Sequence, residues 1–349
     1  MKPTPTRIEP IFSPRIWGAR SLAPVFPEKS NLSEPLGEAW LTGVDSRIAT
    51  GPFAGKKLGE AWKEMPADWR GSDFSKPSDF PLLLKFIFPV DKLSIQVHPD
   101  DAYAAAHEQL SGGRGKTEMW YVVSAEPGAR LLAGLKPGVT KEAFRQALTS
   151  RALEDLFESH KVYPGDTFFI PAGTPHTIGP GMIICEVQEY SDLTYRIYDY
   201  GRVDAHGKPR ELHIEKALAV MKFGPGPQLK TVPLAAKRKD MDLSLLAACK
   251  YFAVQRWVVS SPLHWRSDAE SFRLLVVLSG RGKFESEAGV LDFHLGECWL
   301  FPENLRQFSV LPEESSVLLH VDIPYLPSLE EELELLGYRE SAISRTVFT

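Results

Sequence analysis

Four polar residues in the first half of the chain have the types and spacing of a metal site: Gln96, His98, Glu118 and His176. Gln96 and His98 stand two apart in a probable strand, so both side chains leave the same face. Leaving two buried polar groups unpaired costs about 2–7 kcal/mol, and a metal ion would satisfy both. Two imidazoles and one carboxylate suit zinc, and also Fe(II) or Mn(II). The neutral amide oxygen of Gln96 would leave the ion electrophilic, with room for water or substrate.

The histidines also have a purely structural interpretation. A single histidine such as His98 or His176 is more often a hydrogen-bonded structural residue than a metal ligand. A same-face Gln-x-His pair, a downstream Glu and a His after a turn are less expected by chance as a set. Residue types and spacing leave both interpretations open.

The elements that position these residues are predicted to be many short strands. The 26 glycines and 28 prolines separate short apolar runs, a pattern typical of strands joined by turns. The predicted strands are Leu82–Phe88, Leu93–Val97, Met119–Val123, Thr167–Ile170, Met182–Gln188, Phe252–Val259, Phe272–Leu278, Cys298–Phe301 and Val317–Asp322.

Helical patterns are fewer. The apolar spacing predicts a long helix over Lys141–His160, with Thr140 as its N-cap. Shorter helices are predicted at Leu58–Met65, Leu212–Met221 and Leu329–Leu336. We expect the helix at Lys141–His160 to pack outside the barrel that holds the candidate ligands.

The two halves of the chain share a distant pattern. Gly165-Asp166, Ile170-Pro171 and His176 in the first half match Gly296-Glu297, Phe301-Pro302 and Gln307 in the second. Two copies of one β-barrel or jelly-roll unit would give this pattern. A Pro- and Lys-rich segment at 224–239 marks the boundary. The sequence therefore predicts a metal-binding catalytic domain at 1–235 and a second domain at 236–349 that lacks metal ligands.

Composition narrows the function classes. The chain has 349 residues, with 40 Lys and Arg against 45 Asp and Glu, and a formal net charge of −5. It has no broad basic surface for nucleic acid or an anionic membrane, and no apolar run long enough to span a bilayer. Its N-terminus lacks the apolar core of a secretory signal, and its three cysteines form no CxxC pair. We expect a cytoplasmic protein with reduced thiols.

Several longer motifs carry a resemblance to a known family. They are Trp17-Gly18, Leu36-Gly37-Glu38-Ala39-Trp40, Pro81-Leu82-Leu83-Leu84-Lys85, Leu93 to Asp101 (LSIQVHPDD), Gly115 to Trp120 (GKTEMW), Ile170 to His176 (IPAGTPH), Glu186-Val187-Gln188 and Ser191 to Asp199 (SDLTYRIYD). On these motifs the sequence resembles the type I mannose-6-phosphate isomerases of the cupin superfamily, in their shorter bacterial form. The resemblance covers most of residues 10–325 and is strongest over 80–202.

The resemblance implies a mainly β fold of two cupin (jelly-roll) barrels with a few helical embellishments. It also implies one catalytic zinc ion per chain, held by Gln96, His98, Glu118 and His176. It makes Arg196 an active-site residue, places Lys116 and Asp192 in the same pocket, and puts Lys85 near the metal.

The implied reaction interconverts mannose 6-phosphate and fructose 6-phosphate through a cis-enediol, so a proton must move between C2 and C1. We expect Asp192 to carry that proton, and take Lys85, with a pKa lowered by burial, as the second candidate. The phosphate of this small-molecule substrate needs nearby cations. The candidates are Lys116, Arg202, Lys208 and Arg210. We expect a monomer or a weak homo-oligomer.

Two other functions compete with this interpretation. A cupin that binds a sugar or sugar phosphate without turnover could act as a sensor, although a sensor has no need for a metal with an open position. An Fe-dependent dioxygenase is the other alternative. The Gln ligand and the surrounding Lys and Arg residues favour an anionic polyol over an apolar substrate.

Overall fold

The computed structural model describes residues 1–74, 79–148, 152–203, 206–224, 226, 228–238, 240–267 and 270–349. The strands are β1 (Thr6–Ile8), β2 (Ile11–Ala19), β3 (Leu36–Trp40), β4 (Leu82–Ile87), β5 (Ile95–Val97), β6 (Glu118–Ala125), β7 (Arg130–Leu135), β8 (Phe157–Lys161), β9 (Thr167–Ile170), β10 (His176–Ile178), β11 (Met182–Glu189), β12 (Tyr195–Tyr198), β13 (Leu234–Arg238), β14 (Met241–Cys249), β15 (Phe252–Val259), β16 (Leu263–Arg266), β17 (Arg273–Ser279), β18 (Gly282–Ser286), β19 (Gly289–Phe293), β20 (Cys298–Phe301), β21 (Gln307–Pro312), β22 (Ser316–Asp322) and β23 (Val347–Phe348).

The helices are short. They are α1 (Leu58–Glu64), α2 (Ala67–Arg70), α3 (Asp101–His107), α4 (Lys141–Ala147), α5 (Ile214–Val220), α6 (Leu326–Leu335) and α7 (Glu340–Ile343). Short 3-10 helices occupy Pro27–Lys29, Ser72–Phe74, Gln109–Ser111 and Leu153–Leu156.

The strands form four sheets that make two barrels. The first barrel combines the sheet β2-β3-β4-β11-β6-β9 with the sheet β12-β5-β10-β7-β8. The second combines β1-β20-β17-β22-β15-β14-β13, to which β23 adds beside β14, with β16-β21-β18-β19. The N-terminal strand β1 thus pairs with β20, far along the chain.

Alternation along the strands divides the buried apolar side chains among separate cores, and three of these cores fill and join the barrels. Trp120, Val122 and Ile184 pack inside the first barrel, and Leu275, Val277 and Leu318 pack inside the second. The opposite faces of the two large sheets contribute to one further core that joins the barrels. The two barrels are therefore built on the same inward and outward pattern.

The predicted strands are confirmed, with most ends within two residues, and α1, α5 and α6 match the predicted short helices. The prediction of one helix over Lys141–His160 is wrong. Thr140 does cap α4, accepting a bond of 3.1 Å from the Ala143 amide, but α4 ends at Ala147. Residues 149–151 lie outside the described residues, and the chain then continues as the 3-10 helix Leu153–Leu156 and as β8. Pairing of β8 with β7 in the first barrel overrides the local helical spacing.

The sequence match between His176 and Gln307 is shifted by one residue. Gln307 is exposed, whereas Phe308 is buried in the core of the second barrel. Phe308 lies opposite Trp265, as His176 lies opposite Gln96. The position that a histidine occupies in the first barrel therefore holds an aromatic ring in the second.

Two further expectations concern thiols and membrane spans. Cys185, Cys249 and Cys298 are all buried and form no disulfide. Burial raises the pKa of each thiol, which leaves them unreactive. None of the helices in the described ranges has the length and apolar character needed to cross a bilayer.

Candidate active site

Three adjacent strands place polar side chains in one row on the inner face of the first barrel. His176 on β10 pairs with Gln96 on β5, and Gln96 pairs in turn with Arg196 on β12. Residues directly opposite each other in neighbouring strands have Cβ atoms about 5 Å apart on the same face. The sheet register therefore brings Arg196 beside two of the predicted metal ligands.

The four predicted ligands converge. Ligand atoms of His98, Glu118 and His176, all buried, lie within 4.8 Å of one another. Glu118 Oε1 is 3.3 Å from His176 Nε2 and 3.8 Å from His98 Nε2. The amide group of Gln96 is 3.2 Å from His176 Nε2. In the described part of the chain, this is the one group of three or more such ligands close enough to share an ion.

Backbone carbonyls orient both imidazoles. His98 Nδ1 donates to the Leu193 carbonyl at 2.8 Å, and His176 Nδ1 donates to the Thr174 carbonyl at 2.9 Å. Each Nε2 lone pair is thereby directed into the cluster. Burial lowers the pKa of His98 well below its usual value and that of His176 to about 4. Both rings are neutral at physiological pH, the form that binds metal.

The donor set fits a metal ion. His98 Nε2 and Glu118 Oε1 are buried without a hydrogen-bond partner. Lys116 Nζ forms an ion pair at 2.8 Å with Glu118 Oε2, which leaves Oε1 facing the two imidazoles. Buried polar atoms without partners are costly, and a cation among these donors would satisfy them together.

A pocket of about 480 Å³ opens beside the cluster. Its lining includes every residue predicted from the resemblance to act on substrate: Lys85, Lys116, Asp192 and Arg196. Gln96 lines it too, so the cluster borders the pocket. The structure brings all of these predicted residues to one site.

Lys85 differs from its predicted state. Burial lowers the pKa of its ammonium, but the negative charges of Glu38, Asp192 and Glu186 outweigh burial and raise the pKa above its usual value. Its Nζ lies 3.3 Å from Asp192 Oδ1 and 3.7 Å from Glu186 Oε1. The expectation of a lowered pKa is therefore wrong, because the surrounding carboxylates hold Lys85 protonated.

Arg196 lies in a cationic part of the pocket. Its Nη1 donates to the Glu211 carbonyl at 3.0 Å, and its Nε is buried without a hydrogen-bond partner. Burial and the positive charge of Arg210 lower the pKa of Arg196. Within the described ranges, no carboxylate forms an ion pair with this guanidinium, so its charge faces the pocket.

The residues predicted to bind the phosphate do not all lie at the pocket. Arg210 lines the pocket and forms a bidentate ion pair with Asp199, whereas Arg202 and Lys208 lie outside the lining. Arg202 pairs with Asp199 and Asp91 instead.

Sequence reasoning missed four ionisable residues that line this pocket: Arg15, Glu38, Glu186 and His213. Glu186 lies between two lysines and accepts a hydrogen bond of 3.0 Å from Trp120 Nε1. Its signal was a pair of polar residues two apart, Glu186 and Gln188, inside an otherwise apolar strand. Arg15 and Glu38 are joined by an ion pair of 2.8 Å. Glu38 lies in a motif of the family resemblance, but no spacing pattern indicated that either residue reaches the pocket.

Comparisons with known proteins agree with this architecture. Residues 6–123 match the model of the phosphomannose isomerase type I catalytic domain, and residues 242–321 match that of the mannose-6-phosphate isomerase cupin domain. The probable mannose-6-phosphate isomerase GmuF of Bacillus subtilis is 34% identical over 88% of this chain and 96% of its own length. Mannose-6-phosphate isomerase ManA of B. subtilis is 33% identical over 92% of this chain and 100% of its own.

A solved structure supports the same relationship. The crystal structure of mannose 6-phosphate isomerase from B. subtilis aligns with a TM-score of 0.83 and 30% identity, covering 92% of this chain and 100% of the other. The mainly β architecture of two cupin barrels with a few helices is thereby confirmed.

Proposed function

The chain belongs to the type I mannose-6-phosphate isomerase family and is an isomerase; from that membership we propose that it interconverts mannose 6-phosphate and fructose 6-phosphate with one zinc ion per chain. One observation carries the proposal. Two neutral imidazoles and a carboxylate converge beside a pocket that also holds two ammonium groups and an unpaired guanidinium. This combination suits an anionic substrate whose negative charge increases during reaction.

His98, Glu118 and His176 would hold the zinc ion, with the amide of Gln96 as a weaker fourth ligand. When bound, the ion would supply Lewis-acid stabilisation of negative charge on the substrate oxygens. The backbone carbonyls that accept from the two imidazoles fix the ring orientations before metal arrives.

Asp192 is the proposed proton carrier. Asp192 removes the proton from C2 of the aldose, and protonation of the carbonyl oxygen O1 gives the cis-enediol. Asp192 then returns a proton to C1 while the O2 hydroxyl loses its proton, which gives the ketose. Its carboxylate is half-exposed and lines the pocket, so it is accessible to substrate. The protonated Lys85, 3.3 Å away, holds that carboxylate in position.

Lys116 and Arg196 are proposed to stabilise the enediolate charge. Lys116 is buried against Glu118, and Arg196 stands next to Gln96 in the strand register. Fixed cations in a water-poor pocket stabilise developing charge without reorganising. Arg210, at the same pocket, is the best placed of the remaining phosphate candidates.

The domain division belongs to the same proposal, with residues 1–235 carrying catalysis and residues 236–349 supporting them. The monomeric or weakly oligomeric state and the cytoplasmic location stay predictions from the sequence.

The test is conversion of mannose 6-phosphate to fructose 6-phosphate in a coupled assay, with metal content measured on the same sample. Activity is expected to disappear on chelation and to return with added zinc. Solvent deuterium should enter the product at C1, as expected for an enediol. Stoichiometric metal with substrate binding but no conversion would favour the sensor alternative, and folded protein that neither binds metal nor turns over would refute the site.

A further inference from the structure

The segment that carries two active-site residues is held by a network reaching into the second barrel. Residues 112–117 include Lys116 and lead directly into Glu118, the first residue of β6. The Gly115 amide donates to Asp101 Oδ1 at 3.0 Å, and the Thr117 amide donates to Glu189 Oε1 at 2.7 Å. Two carboxyl groups thus hold the backbone on either side of Lys116.

Tyr251 joins the second barrel to this network. Tyr251 lies in the tight turn between β14 and β15, and its hydroxyl donates to Asp101 Oδ2 at 2.6 Å. Asp101 opens α3, three residues beyond the ligand His98. The two oxygens of Asp101 therefore connect a turn of the second barrel to the segment that carries Lys116.

The protonation states of Glu189 and Asp101 favour a hydrogen bond between their carboxyl groups. Burial, followed by the negative charge of Asp101, raises the pKa of Glu189 to about 8. Bonds from Tyr251 and the Gly115 amide lower the pKa of Asp101, although its burial opposes them. Near neutral pH, a protonated Glu189 therefore donates to an ionised Asp101, and buried networks of this kind hold their members in one arrangement.

The contact between the segment and α3 leaves no room for adjustment. A Cβ at Gly115 would come within 2.5 Å of the Asp101 amide nitrogen and 2.6 Å of the Asp100 carbonyl carbon. The backbones of Gly115 and Asp101 are therefore in direct contact, in addition to the hydrogen bond from the Gly115 amide to Asp101 Oδ1.

We propose that Tyr251 of the second barrel is a positioning residue for the active site, fixing Lys116 and Glu118 through Asp101 and Glu189. The expected effect on kcat rests on the proposed function, whereas the expected effect on the backbone of residues 112–117 does not. This assignment gives the second barrel a direct role in the chemistry of the first.

The test compares Tyr251→Phe with Tyr325→Phe, a control at an exposed tyrosine of the second half. Amide hydrogen exchange is measured on residues 112–117 of the full chain, together with kcat, KM and bound zinc. Loss of one hydrogen bond to a charged group shifts the equilibrium that the bond stabilises by about tenfold. Tyr251→Phe is expected to speed exchange at Gly115 and Thr117 and to lower kcat about five- to tenfold, with KM within twofold and zinc retained.

Exchange at Gly115 and Thr117 that is unchanged in Tyr251→Phe overturns the proposal. A second variant, Asp101→Ala, removes the acceptor that Tyr251 and Gly115 share, and should give the same exchange pattern. Faster exchange in Asp101→Ala alone would show that Asp101 holds the segment without Tyr251, which also refutes the role. Because exchange needs no substrate, failure of the proposed reaction is distinguishable from failure of this assignment.

Discussion

The two barrels place different chemistry on the same frame. Glu186 lies opposite Trp120 and Lys85, and the matching ladder of the second barrel puts His320 opposite Leu275 and Gln255. Likewise Glu118 lies opposite Ile170, as Arg273 lies opposite Phe301. The inward polar positions thus correspond as follows: Lys85 with Gln255, Glu118 with Arg273, and Glu186 with His320.

The residues at these corresponding inward positions decide which barrel can hold a cation. At the position of the ligand Glu118, the second barrel has Arg273, a buried guanidinium that donates to the carbonyls of Pro302 and Leu305. Where Gln96 and His176 pair in the first barrel, Trp265 and Phe308 pair in the second. A positive charge and aromatic rings replace the donors, so a shared fold does not carry a shared site.

The largest expected effect on activity comes from replacing His176, whereas replacing the buried His320 should leave activity unchanged. His176→Ala removes a ligand, so zinc content should fall and kcat/KM should drop by about three orders of magnitude or more. His320→Ala is the same substitution at a buried histidine of the second barrel, where the ring stacks on Trp257 at 4.6 Å. It should lower the free energy of unfolding but keep zinc and kcat. Metal analysis and kinetics on both variants check this, and normal zinc in His176→Ala would contradict the ligand assignment.

Next in size is the loss of the unpaired guanidinium. Arg196→Ala should retain zinc, because Arg196 is not a ligand, but lower kcat by about 10²- to 10³-fold. Arg130→Ala, an exposed change on the outer part of the same sheet, should leave kcat unaltered. If Arg196→Ala raised KM alone, Arg196 would hold the substrate without stabilising the reaction.

Inside the second barrel, away from Tyr251, a substitution should change stability rather than activity. Arg273→Met leaves the carbonyls of Pro302 and Leu305 without their donor, and should cost about 3 kcal/mol in the free energy of unfolding. Zinc content and kcat should stay unchanged in the folded protein. Urea unfolding and the coupled assay measure the two effects. A loss of zinc from this variant would show that a change inside the second barrel is transmitted to the metal site of the first.

The comparison also shows what the sequence could predict. Strand positions and the four candidate ligands were readable, because period-two alternation and a same-face pair are local patterns. The helix predicted over Lys141–His160 failed, since β8 forms only when β7 is beside it. The positions of Arg15 and Glu38 at the pocket were not predicted for the same reason. Glu38 lies in a motif of the family resemblance, but nothing near either residue in the chain indicates that β2 and β3 reach the pocket.

Lys85 illustrates a further limit. Burial was foreseeable from its apolar surroundings, and burial alone would lower the pKa of its ammonium. The three carboxylates that reverse the direction come from β3, β11 and the segment after β11, which meet only in the folded sheet. The sign of such a shift depends on tertiary contacts that no single stretch of sequence contains.

The smallest expected effect lies where the two barrels meet. Glu189 has a pKa of about 8 in the folded protein, above the ordinary value of 4.5, because it is buried beside Asp101. A carboxyl group with a raised folded pKa stabilises the protein most below pH 4.5, and that contribution is lost as pH rises through 8. Glu189→Gln keeps an oxygen for the Thr117 amide and a donor for Asp101 but cannot ionise. The variant should therefore match wild type near pH 5 and exceed it near pH 9, by on the order of 3 kcal/mol or less. Urea unfolding at the two pH values measures this, and parallel stability curves would mean that Glu189 does not titrate at the junction, leaving the barrels joined by apolar packing and neutral contacts.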